Sequence, residues 1–291
     1  MQIRLAINQP MRKALLSLFL SLPVILSAQK TILWKVTNNS DNHVSYLLGT
    51  EHLLSRDYVD SLHIIAESLK NCEMVITEVN KDSTRTQAYY NKRESSYTLR
   101  EVMTEKDIET INFALSYSSA KDWSKFTPGE LFAKISGYTE GYEMGVKPGV
   151  VRIDDYIQVL AKNNNKQSIY LESDSAQLEI LRKATEVIDW KYFKKNIGKW
   201  LDMYKRPAAD ITTTRLYKQF YQFELNYAFD AKCSGDILLE KRNDEWMKQL
   251  LIYFKDKNCF IAVGLSHLGK QCGLIQQLKR AGYEVEPMNM K

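Results

Sequence analysis

Apolar and polar positions along this chain follow two different periods. Near the start, "TILWKVT" (31–37) and "VSYLLGT" (44–50) are short runs rich in β-branched and aromatic residues, with the polar stretch "NNSDNH" between them. The pattern predicts a hairpin, because Asn, Asp and Ser favour turns by bonding to nearby backbone. Past His52 the period changes: Leu62, Ile65 and Leu69 fall on one helix face. "EMVITEVN" (73–80) is again β-rich and carries Glu78 near its end. Residues 81–147 are polar, rich in tyrosine and helical, with readable helix starts. Thr98-Leu-Arg-Glu101 fits a capping box, and Thr127-Pro-Gly-Glu130 puts proline at the first helical position. "GVVRIDDYIQVLAKNNNK" (149–166) reads as a loop and a helix, and "QSIYLES" (167–173) as a strand reaching Glu172. Helical spacing then runs from about Asp174 to Trp246. The chain closes with the strand "CFIAVGLSH" (259–267), the helix "GLIQQLKRAG" stopped by Gly282, and the strand "YEVEPM" (283–288).

Strands at both ends and once in the middle, each followed by a helix, predict a mixed α/β fold. In it a central sheet is flanked by helices and residues 81–147 form a helical insertion in one domain, 29–291. The first 28 residues stand apart. Arg4, Arg12 and Lys13 precede "ALLSLFLSLPVILSA", too short an apolar run to span a bilayer comfortably and the pattern of a secretory signal cut near Ala28. The expected location is therefore outside the cytoplasm, periplasmic or secreted, with no stable membrane span after cleavage.

Composition changes little in this picture. Hydrophobic content of 44% and charge of 26% suit a folded globular domain. Losing the leader removes three positive charges, so the net charge falls from +5 to +2. "KYFKKNIGKW" is basic and aromatic, but its spacing suits an amphipathic helix and no nucleic-acid stripe is present. Cys72, Cys233, Cys259 and Cys272 allow three pairings in an exported protein, or buried free thiols. The absence of Cys-x-x-Cys excludes a zinc ribbon or a thioredoxin motif.

Candidate chemistry gathers where strands end. His52, Glu78, Glu172 and His267 all fall at the carboxyl ends of predicted strands, where α/β sheets bind ligands. His52 and His267 each close a Gly-x-x-His unit, Gly49–His52 and Gly264–His267, whose glycines would let the backbone turn sharply and approach a ligand. Two imidazoles and a carboxylate form a common ligand set for a divalent transition metal. The plain alternative is that the histidines stitch strand ends to loops, and that Ser173 or Asp174 caps the next helix. His43 and His63 are assigned to a turn and a helix surface. Arg242, beside Asn243, could hold a carboxylate or oxyanion in a cleft, or make only a surface ion pair. No Gly-x-Ser-x-Gly elbow, phosphate loop or His-Glu-x-x-His is present.

Together, "LWKVTNNSDNHVSYLLGTEHLLSRD", "MVITEV", "LLEKRNDEWM" and "FIAVGLSHLGKQCGLIQQLKRAGYEVEPM" resemble the TraB/GumN family, which takes in the PrgY-type proteins and the animal Tiki proteases. The resemblance runs from Leu33 to Met288 and is weakest over 81–147. It implies a sheet core flanked by helices, as in erythromycin-esterase-like and haem-binding ChaN-like folds. It also implies a metal site of His52, Glu78 and His267, with Glu172, Gln177 and Arg242-Asn243 beside it and the middle helices lining the cleft. The expected function is divalent-metal-dependent (Mn, Co or Zn) hydrolysis of a peptide or protein substrate. In that reading Glu172 is a neighbouring residue or general base, and Arg242 orients the substrate carbonyl. The alternative is a peptide- or haem-binding protein using the same cleft. Oligomeric state is not legible in the sequence.

Overall fold

A computed structural model describes residues 30–38, 43–80, 82–95, 101, 103–115, 122–146, 150–202 and 209–290. The leader at 1–28 and the start of the capping box at Thr98 lie outside the described residues.

Strands β1 (Leu33–Thr37) and β2 (Val44–Thr50) pair antiparallel, Leu33 opposite Leu48 and Thr37 opposite Val44, so the hairpin forms as its alternation predicts. With β3 (Met74–Val79), β4 (Gln167–Glu172), β5 (Cys259–Gly264) and β6 (Glu284–Pro287) they form a six-stranded sheet ordered β4-β3-β5-β2-β1-β6. The first four in that order are mutually parallel, while β1 runs antiparallel to both its neighbours. Strands β3 and β5 are central and read as near-continuous apolar runs, as buried parallel strands do. Because the four parallel strands share one direction, Thr50, Glu78, Glu172 and Gly264 all arrive at the same edge of the sheet.

Helices α1 (Arg56–Asp60) and α2 (His63–Lys70) follow β2, and α2 lies against it. His63 is exposed, as expected, whereas His43 bonds Asn258 at 3.2 Å and ties the starts of β2 and β5. Helices α3 (Ser83–Asn91), α4 (Glu105–Ala114) and α5 (Pro128–Glu143) come next. Helix α5 opens with the capping box expected at Thr127: the Thr127 hydroxyl accepts the Glu130 N–H, and Glu130 accepts the Thr127 N–H. Helix α6 (Ile153–Asn163) packs on β3, β4 and β5. Helices α7 (Asp174–Ala184) and α8 (Trp190–Asp202) follow β4. Ser173 caps α7 by accepting the Ala176 N–H. The helices of 83–143 enclose an apolar cluster including Tyr90, Phe126, Leu131 and Ile135, which Leu178, Phe193 and Ile197 of α7 and α8 complete.

The helical run expected from Asp174 to Trp246 is interrupted. After α9 (Arg215–Phe220) the chain is irregular until α10 (Glu240–Tyr253). Phe223, Ala228 and Gly235 take positive φ, which no helix tolerates, while Phe223, Leu225 and Tyr227 bury their side chains in the main core. Their apolar spacing imitates a helix face. Helix α11 (Leu274–Arg280) ends at Gly282, φ +93°, with the Tyr283 N–H on the Leu278 carbonyl and the Gly282 N–H on that of Lys279. That is the paired bonding of a Schellman stop, and it fits the sequence reading. Among the described residues no helix is long and apolar enough to cross a membrane.

Candidate metal and carboxylate site

Strands β2 and β5 lie side by side with Thr50 opposite Gly264, so the two Gly-x-x-His units leave the sheet together. Neither glycine has positive φ, and the sharp turn expected of them is not their reason. A Cβ on Gly49 would come within 2.6 Å of Leu265 Cδ1, so glycine is needed there to seat the loop after β5. At Gly264 the backbone N–H donates to Glu78 Oε1 at 2.7 Å.

Beyond Gly264 the turn Leu265–His267 folds His267 inward until only 3% is exposed. Its ring packs 4.3 Å from that of Trp246, a residue of α10. Asn243, on the same helix, donates its amide to the carbonyls of His267 (3.1 Å) and Cys272 (2.9 Å), so its Oδ1 is the acceptor. That oxygen lies 2.7 Å from His267 Nδ1, which must therefore carry the proton and leave the lone pair on Nε2. Burial pushes the His267 imidazole down to about 4, so the ring is neutral at neutral pH.

Arg242 fills the centre. Its Nε–H donates to Glu172 Oε2 at 3.2 Å, and its NH2 reaches Glu78 Oε2 at 2.7 Å and Glu172 Oε1. NH1 donates to the Leu238 carbonyl at 3.0 Å and to His267 Nε2 at 3.1 Å. A guanidinium has five N–H donors, and each has an acceptor here, leaving none for a substrate carbonyl in this arrangement. Gln177 Nε2 spans the two carboxylates at 3.3 and 3.2 Å, and the Trp246 ring lies 4.5 Å from the guanidinium carbon. Burial opposes ionisation of Glu78, yet His267, Arg242 and the Gly264 N–H outweigh it, and its carboxyl sits below the usual range. For Glu172 burial wins over the pull of Arg242, and its carboxyl sits above that range. Two neighbouring carboxyls pushed in opposite directions suit one permanent anion and one group able to take up a proton.

His52 stands apart, half exposed. Its Nδ1 lies 2.5 Å from Asp154 Oδ2, and the other oxygen of Asp154 accepts the Thr50 hydroxyl at 2.7 Å. Asp154 was not singled out in the sequence, where "RIDD" reads as acids favouring the first turn of α6. The structure thus brings Glu78, Glu172, Arg242 and His267 together and sets His52 at their margin.

The donor set can be tested against a divalent ion. Both histidines have Nδ1 engaged by an oxygen acceptor, which turns Nε2 outward as the ligand atom. His267 Nε2 lies 4.0 Å from Glu78 Oε1, a gap that two bonds of about 2.0–2.2 Å to one ion would bridge. In type and outer partners the residues fit a metal. Arg242 now holds His267 Nε2, however, and among the described residues His52, Glu78 and His267 do not gather ligand atoms within 4.8 Å of one another. An ion shared by all three requires the exposed His52 ring to close on the other two.

Cys233 and Cys272 form a disulfide, while Cys72 and Cys259 are buried free thiols pushed up to about 12 by burial. Both alternatives left open by the sequence therefore occur.

Neutral His267 carries a pH signature. The unfolded chain binds a proton near 6.5 and the folded ring only near 4, so stability is full above 6.5 and falls between those values as pH drops. The loss at pH 4 is about 3 kcal/mol. Urea unfolding of wild type and His267→Gln at pH 7, 6, 5 and 4 isolates it. The wild type should lose more stability than the variant, and parallel pH curves would refute a neutral buried ring.

Sheet and strand-end cluster define an α/β protein with a buried His–Glu–Arg cluster at its parallel strand ends. The chain belongs to the TraB/PrgY/gumN family, whose pattern it matches over residues 32–287. No curated protein matches the sequence significantly.

Proposed function

We propose that this protein is a divalent-metal-dependent hydrolase acting on peptide bonds outside the cytoplasm. The observation that carries the reading is the matched treatment of the two histidines. Each has Nδ1 bound by an oxygen acceptor, which leaves Nε2 as the ligand atom, at adjacent parallel strand ends; His267 Nε2 is 3.1 Å from Arg242 NH1 and 4.0 Å from Glu78 Oε1. His52, Glu78 and His267 would hold the ion, Mn, Co or Zn. When bound, such an ion supplies the Lewis acidity that makes water a nucleophile near neutral pH. Glu172, held above the usual carboxylate range, would take up the proton. Arg242 keeps both carboxylates aimed at the cleft, and must give up one of its five bonds to meet a substrate carbonyl. The Cys233–Cys272 disulfide supports an oxidising location, in line with the leader pattern at 1–28.

Titration calorimetry with Mn, Co and Zn, alongside melting curves, tests this. The ion should raise the wild-type melting temperature but not that of His52→Ala or His267→Ala. Asp154→Asn should weaken metal affinity by about 10–100-fold, because His52 loses the carboxylate that orients it. Wild-type affinity in both alanine variants would sink the metal reading. A Soret band on haem titration, without metal-dependent stabilisation, would favour the binding-protein alternative.

A further inference from the structure

Beside the cluster lies a cavity of about 420 Å³, within the range that takes small ligands. One wall is the two strand ends with His52 and the loop after His267. The opposite wall is α9 together with the irregular segment that follows it. None of the described residues of 81–147 lines it, and the far wall comes from 215–239.

That far wall is fastened rather than loose. The Lys270 N–H donates to the Tyr227 carbonyl at 2.8 Å, the Gln271 N–H to that of Ala231 at 3.0 Å, and Cys233 is joined to Cys272. Lys270 is held at φ +62° in this seam, a conformation non-glycine residues seldom adopt. Its exposed ammonium has no carboxylate partner among the described residues. Arg215 faces the cavity from α9 and spends one contact, 3.3 Å, on Glu140. Glu51 is the one carboxylate among the described lining residues, and with Glu140 offsetting Arg215 from outside the lining, Lys270 is the cation left without an acid partner.

Building on the hydrolase reading, we infer that this cavity is a subsite for a carboxylate of the peptide substrate, paired with Lys270 and Arg215. An interior stretch of uncharged peptide offers these cations nothing. A C-terminal carboxylate or an Asp or Glu side chain offers each a charge-assisted bond. The peptide's anionic group then sits at the seam, with its backbone laid towards Gly264 and the carboxylate cluster.

Equilibrium binding of three probes to the full-length protein tests this: tetra-alanine with a free C terminus, tetra-alanine amide, and acetyl-Ala-Asp-Ala-amide. At least one acid probe should bind roughly tenfold more tightly than the amide. If only the free C terminus gains, the carboxylate is terminal; if the aspartyl probe gains, it is a side chain. The preference should collapse in Lys270→Gln and Arg215→Gln, persist in Lys270→Arg, and narrow as salt rises. Both glutamine variants are surface changes and should melt near the wild type. The inference is overturned if neither acid binds better than the amide, or if the preference survives in both glutamine variants. Metal titration of the same proteins separates the two readings. An acid preference without metal binding leaves the subsite standing and sinks the hydrolase; metal binding without the preference does the reverse.

Discussion

Replacing Arg242 with methionine is expected to lower the unfolding free energy by about 3–5 kcal/mol at neutral pH, because it strands two buried carboxylates without their counter-charge. Arg242, Glu78 and Glu172 are each only about a tenth exposed as side chains, at 10%, 11% and 9%. The guanidinium meets both carboxylates and His267 Nε2, so the loss exceeds that of a surface pair, which is worth about 0–1 kcal/mol. Methionine keeps some of the packing on Trp246, which isolates the charge. The pH dependence separates this account from simple loss of contact. Without Arg242 the carboxyls of Glu78 and Glu172 rise, so protonating them relieves the strain, and the deficit relative to wild type should shrink as pH falls towards 5. Adding Glu78→Gln and Glu172→Gln to the variant should recover most of the loss at pH 7. Chemical denaturation at both pH values measures this. A deficit under about 1 kcal/mol, or one that widens in acid, would show that the three side chains do not act as one network.

The strand ends were legible because β-rich runs bounded by polar turns leave few choices for where a strand stops. Glu78, Glu172 and the two Gly-x-x-His units follow from that, and parallel pairing then brings them to one edge. Helix caps at Thr127 and the stop at Gly282 were legible for the same reason, being local chemistry. Asp154 was not, since it lies 102 residues from His52 and its first-turn acids have a local explanation in the helix dipole. The arginine's saturation was equally hidden: "EKRNDEW" shows a cation among acids, but not that β3 and β4 deliver two carboxylates to it. Trp246 does fall four residues after Arg242, a spacing that puts both on one helix face, and was a usable signal. Segment 221–239 misled because its apolar spacing serves core burial while its backbone turns at positive φ.

The same segment sets the second large expectation. Cys233 and Cys272 are 39 residues apart, and cross-linking a loop of that length removes unfolded-state entropy worth about 4 kcal/mol. Cys233→Ala with Cys272→Ala should lose stability of that order at 25 °C. The effect should also reach the cleft, because Cys272 supplies the carbonyl that holds Asn243, and Asn243 sets the proton on His267 Nδ1. Imidazole nitrogen chemical shifts should therefore move at His267 Nδ1 in the double variant as its bond to Asn243 weakens, while Arg242 on Nε2 keeps the proton on Nδ1. Thiol titration gives the control: unfolded, unreduced wild type should show two thiols, Cys72 and Cys259, and the native protein none, both being buried. A double variant that loses stability but keeps the wild-type His267 nitrogen shifts would confine the disulfide to chain entropy. One that keeps its stability would mean the seam of backbone bonds from Lys270 and Gln271 already restrains the segment without it.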